Sequence, residues 1–148
     1  MFHRVLVPLD STPLSRKVLD SALRCTNPEG ELVVLRVQAE AINLESADCK
    51  VDLDVVDQQT TALLRRVTAV ATEVGQKCKV RAEVRSGPLV GTILETATEL
   101  ESDLIVMGTH GRKGLTEQVT GSPTERIVAK ASASVFVVKA AGYPFLQD

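Results

Sequence analysis

A chain of 148 residues, 44% of them hydrophobic, can bury a sizeable core and has the length of one domain. With 17 basic and 19 acidic residues the formal charge is −2 and no basic stripe forms, so nucleic acid is not expected as a partner. The longest apolar runs are strand-sized, too short to cross a membrane, and the first residues lead straight into a strand rather than a secretory leader. A cytoplasmic protein is expected. Cys25, Cys49 and Cys78 are widely spaced and odd in number, which fits reduced, partly buried thiols better than a disulfide framework or a zinc site.

In chain order, Val5-Leu6-Val7 before Pro8 predicts a short buried strand. Thr12-Pro13 supplies a cap and a proline at the first helical position. Leu14, Val18, Leu19, Ala22 and Leu23 recur at helical spacing, and Asn27-Pro28-Glu29-Gly30 is expected to end that helix. Leu32–Leu35 is a second strand, Ala39–Val51 a loop of mixed composition. A long helix then carries Leu53, Val56, Leu63, Leu64, Val67, Val70 and Val74 on one face, up to Gly75. Lys79–Arg85 alternates Val80, Ala82 and Val84 with Arg81, Glu83 and Arg85, the pattern of a strand near a sheet edge. Ser86-Gly87-Pro88 turns into a helix bearing Val90, Ile93, Leu94, Ala97 and Leu100; the strands Leu104–Met107 and Val135–Val138 flank the last helix.

Alternating strands and helices predict an α/β fold: a doubly wound, mainly parallel five-stranded sheet in the order 3-2-1-4-5, with helices on both faces. Such sheets bind ligands at the carboxyl ends of the strands where the order reverses, here strands 1 and 4. Strand 4 runs directly into Gly108-Thr109-His110-Gly111, followed after nine residues by Gly121-Ser122-Pro123-Thr124-Glu125 at a helix start. Glycines admit close backbone approach, and the first helical turn offers unpaired N–H groups and the positive end of the dipole, so the segment outlines a phosphate cradle. Ser122 either donates to the same anion or serves only as the cap of a Ser-x-x-Glu capping box with proline at N1. Asp10, at the mouth of strand 1, either accepts from an adenine amino group or ribose hydroxyl, binds a metal through water, or caps the first helix. The spacing is neither a Walker A loop nor G-x-G-x-x-G, and no nucleophile–His–acid constellation is legible. His110 reads as a hydrogen-bonding loop residue, and Arg112 and Lys113 as a solvated pair or as phosphate contacts.

Val106–Arg112 (Val-Met-Gly-Thr-His-Gly-Arg), the gap to Gly121-Ser122, Val135–Lys139 and Val5–Asp10 together resemble the universal stress protein family across essentially the whole chain, 1–148. The G-x2-G-x9-G-[S/T] spacing is similar to that of its ATP-binding branch. The resemblance implies an adenine-nucleotide α-hydrolase-like fold and a cytoplasmic, dimeric stress-response protein that binds ATP, with weak hydrolysis or autophosphorylation in some members. Carried over by position, Asp10 and the backbone of Val37 meet the adenosine, and Met107 and Gly108 lie against the nucleoside. Gly111, Gly121, Ser122 and Thr124 hold the phosphates, bridged by Mg2+ or Mn2+. Three positions depart from the pattern: Arg36 stands where histidine is frequent, Thr120 is polar, and Pro123 lacks a donor N–H. One lost charge-assisted hydrogen bond is worth roughly 1.5–3 kcal/mol, offset by a helix start that proline preorganises. An ATP-binding regulatory module, a slow ATPase and a purely structural interaction module all remain open. The apolar edge strand Val135-Phe136-Val137-Val138 predicts a two-fold dimer, assisted by the tail residues Tyr143–Leu146 unless these cover their own core.

Overall fold

The computed structural model describes residues 1–10, 14–38, 53–109 and 122–139, with side chains throughout except at 53–57. Its elements are β1 (Phe2–Pro8), α1 (Ser15–Cys25), β2 (Thr26–Gln38), α2 (Leu53–Glu73), β3 (Lys79–Ser86), α3 (Leu89–Glu99), β4 (Leu104–Gly108), α4 (Pro123–Lys130) and β5 (Ser134–Val138). Among the described residues five strands form one parallel sheet in the expected order, β3-β2-β1-β4-β5.

The period of two in each strand divides the core into two layers. Val5, Val7, Val34 and Val106 face α1 and α2, where Val18, Leu23, Leu63 and Val67 complete the cluster. Leu6, Leu35, Ile105 and Met107 face the other way, against Val90 and Ile93 of α3 and Ile127 of α4. The continuous apolar runs of β1 and β4 are thus buried on both sides. At the β3 edge the alternation is visible: Val80 and Ala82 pack on the first layer, while Arg81, Glu83 and Arg85 link to one another and to Glu99 at 2.7–3.0 Å.

The first helix ends earlier than the sequence pattern implies. It stops at Cys25, where the Thr26 hydroxyl donates to the Ala22 carbonyl at 2.7 Å and the Thr26 N–H to that of Leu23. Asn27-Pro28-Glu29-Gly30 still turns, with the Glu29 N–H donating to Asn27 Oδ1 at 2.9 Å, but it does so as a bulge inside β2. The register passes from Phe2↔Thr26 to Arg4↔Glu31 across it. The bulge lies hard against β1: a Cβ on Gly30 would come within 2.7 Å of the His3 carbonyl oxygen. Gln76, just past α2, donates to the Leu23 and Thr26 carbonyls at 2.6 and 2.9 Å and so ties the two helix ends together.

The cap expected of Thr12 and Pro13, the loop 39–51 and the tail 140–148 lie outside the described residues, as does Cys49. Cys25 is half-buried and Cys78 buried, both as free thiols, and burial pushes the Cys78 thiol up from its ordinary value. Gly30→Ala is expected to cost about 1–3 kcal/mol by forcing β1 and the bulge apart, seen as a lower urea midpoint with an unchanged slope.

Candidate functional site

The sheet order reverses between β1 and β4, which pair at Val5↔Leu104 and Leu6↔Ile105. Asp103 fixes that register. Its carboxylate accepts the His3 and Arg4 N–H groups, each at 2.9 Å, while its own N–H donates to the Arg4 carbonyl at 2.9 Å. At the opposite, carboxyl end the chain continues the ladder for one residue on each strand. The Leu9 N–H donates to the Leu35 carbonyl and the Thr109 N–H to that of Val138, both at 2.9 Å.

Against this edge stands the start of α4. Ser122 is its cap: Oγ accepts the Glu125 N–H at 3.1 Å, and Pro123 occupies N1. That bond uses one lone pair of the Ser122 hydroxyl and leaves its O–H to donate. Thr124 ties the helix to the strand, its Oγ1 donating to the Gly108 carbonyl at 3.1 Å. Ser122 and Thr124 are only 6% and 7% exposed, so both are buried at the start of the helix, with Thr124 held against the end of β4, rather than standing on the surface. With Pro123 lacking an N–H and that of Glu125 committed, the Ser122 and Thr124 amides are the donors this helix start can turn to an anion.

The predicted residues therefore separate into groups. Met107, Gly108, Ser122 and Thr124 come together at the end of β4. Val37 lies on the same carboxyl edge two strands away in β2, packed on the Met107 side of the sheet. Asp10 follows β1 at that edge but engages α1: its backbone carbonyl accepts the Ser15 hydroxyl at 2.6 Å, and Oδ1 lies 3.3 Å from the same oxygen. Gly111, Gly121, His110, Arg112, Lys113 and Thr120 lie outside the described residues. Gly108 has a packing reason to be glycine, since a Cβ there would meet Leu14 Cδ2 at 2.7 Å and Val18 Cγ2 at 3.2 Å.

Thr109 is a site residue to which the motif alone gives no role. Its Oγ1 is buried without a hydrogen-bond partner, beside the strand end where the crevice opens. A buried hydroxyl left unpaired is costly, and such groups concentrate where a ligand or water completes the bonding. Its only sequence signal is its place between the strand and the glycine loop. Among the described residues no group of three His, Cys, Asp or Glu side chains could hold a metal ion.

The profile of the universal stress protein family matches residues 1–139. The chain belongs to that family. Among its relatives, universal stress protein MJ0531 of Methanocaldococcus jannaschii is 26% identical over 143 residues, covering 94% of this chain and 83% of the relative. Universal stress protein YxiE of Bacillus subtilis is 27% identical over 148 residues, covering 94% of this chain and all of the relative. The fold is shared with the solved structure of protein MJ0577, with a TM-score of 0.72 at 24% identity over 97% of this chain and 99% of that one. It is shared equally with a universal stress protein in complex with cAMP, with a TM-score of 0.70 at 18% identity over 95% and 98% of the two chains.

Two substitutions separate architecture from binding. Ser122→Ala is expected to cost about 1 kcal/mol through the lost cap, measured by chemical unfolding. Thr109→Val, without added ligand, is expected to leave stability unchanged or raise it, since no intramolecular bond is lost.

Proposed function

We propose that this universal stress protein binds an adenine nucleotide, ATP in the first instance, in the crevice over the carboxyl ends of β1 and β4. The observation that carries the reading is the junction of β4 with α4. There the Ser122 and Thr124 amides, the Ser122 O–H and the unpartnered Thr109 hydroxyl share one buried strand end with Met107. A helix start with available N–H groups favours phosphate, and the side chains of Met107 and Val37 offer apolar surface to a base. Gly111 and Gly121 supply the glycine spacing of the same cradle. Mg2+ or Mn2+ is carried on the phosphates. A protein of this fold in complex with cAMP supports the nucleotide class. Bound nucleotide changes a partner surface, which makes the protein a regulatory module of 1–148 acting in the cytoplasm.

The same reading includes a two-fold dimer through β5, one of the two sheet edges. The other, β3, carries ion pairs along one face, a device that discourages pairing. β5 presents Phe136, 43% exposed, next to half-buried Val135 and Val137. Val138 packs in the core, so its share in an interface is that of its backbone.

Titration calorimetry with Mg-ATP is expected to give saturable, one-to-one binding that Gly121→Val abolishes while the fold, followed by circular dichroism, is retained. An absence of heat at millimolar nucleotide, with none released from the purified protein, overturns the reading. Phe136→Asp is expected to convert the dimer to monomer in sedimentation; an unchanged dimer moves the interface off β5.

A further inference from the structure

The last residue of β4 is held from both faces of the sheet. On one face the Thr124 hydroxyl of α4 donates to the Gly108 carbonyl at 3.1 Å. On the other, the alternation along β4, with Val106 in the α1 layer and Met107 in the α3 layer, turns the empty side-chain position of Gly108 toward α1. Leu14 fills that position. A Cβ on Gly108 would come within 2.7 Å of Leu14 Cδ2, 3.3 Å of its Cγ and 3.2 Å of Val18 Cγ2. Leu14 directly precedes α1, whose first residue, Ser15, is buried and donates to the Asp10 carbonyl at 2.6 Å. Leu14 itself is half-buried, while Ser15, Val18 and Leu19 behind it are buried, so its remaining surface lies at the carboxyl edge. Leu14 and Met107 thus bracket, from opposite faces, the strand end that Thr124 and Thr109 share.

We infer that Leu14 is a binding residue of the nucleotide crevice: its methyl groups form the wall on the α1 side, and the nucleoside packs against them. Gly108 is then the residue that positions this wall, acting on the ligand through Leu14 rather than by admitting the ligand itself. The inference rests on the nucleotide reading above. A half-buried leucine has apolar surface left to give to a ligand, and such surface beside a few placed donors is the usual composition of a small-molecule site. The wall is set by contact. Val18 and the core behind it close the inner side, so a methyl group at residue 108 drives Leu14 outward, into the space the nucleoside takes.

The test is a double-mutant cycle on the full chain, read by calorimetry with Mg-ATP, with urea unfolding of each variant as the control on folding. Gly108→Ala is expected to weaken binding about tenfold or more, by pushing Leu14 into the crevice. Leu14→Ala is expected to weaken it about threefold or more, through the lost apolar contact. In the Leu14→Ala background, adding Gly108→Ala is expected to cost less than about threefold, because nothing is left to displace. A Gly108→Ala loss of the same size in both backgrounds means that the new methyl group meets the ligand directly, and it overturns the inference. Unchanged affinity in either single variant overturns it as well. The unsubstituted chain supplies a readout that needs no variant: nuclear Overhauser contacts are expected between the Leu14 methyl groups and the ribose or adenine protons of bound Mg-ATP. Their absence in the saturated complex overturns the inference while leaving the nucleotide reading in place. No binding of Mg-ATP to the unsubstituted chain is a different result, which removes the nucleotide reading and this inference with it.

Discussion

Everything at the functional edge depends on β1 and β4 lying side by side in one register. Two strands buried on both faces could slide by two residues without exposing their apolar pattern, so hydrophobicity alone does not choose the alignment. The Asp103 carboxylate chooses it by accepting two consecutive β1 N–H groups at the start of the pair. The other ends of the strands are then level. Leu9 extends the ladder to β2, Thr109 extends it to β5, and the two chains diverge into helices on opposite faces. A crevice at this point follows from the order of the strands and needs no special loop.

What the crevice offers chemically comes from the start of α4. Pro123 and the Ser122 cap stiffen that helix end and take two of its four unpaired N–H groups out of use. The Thr124 hydroxyl spends its donor on the Gly108 carbonyl, holding helix and strand together. This site has fewer helix donors than a bare helix end and more rigidity, a trade that favours preorganised contact with a few phosphate oxygens.

Most of the architecture was legible in the sequence because its signals are local. Continuous apolar runs mark β1, β2 and β4, charge alternation marks the edge strand β3, and helical spacing marks the helices. The end of α1 was misplaced because Asn27-Pro28-Glu29-Gly30 has the composition of a turn between elements. Here the turn is a bulge within β2, and only the close approach of Gly30 to the His3 carbonyl reveals why glycine stands there. At the site, Ser122 was legible as a cap from its Ser-x-x-Glu spacing. Its proximity to the end of β4 depends on the fold, as does the unpartnered Thr109 hydroxyl, and sequence spacing carries neither. Gly108 shows the limit of motif reading in the other direction. Its place in a glycine motif points to a ligand, while its missing Cβ makes room for Leu14.

The central claim is that one crevice, over β1 and β4 and under the start of α4, receives the nucleotide. Amide chemical shifts recorded during a Mg-ATP titration test it most directly. Saturable shifts confined to the carboxyl edge, at Val37, Gly108, Thr109, Thr124 and Glu125, with Phe2, His3 and Leu104 at the far end unmoved, are the predicted result. Shifts centred elsewhere, or none at millimolar nucleotide, contradict it.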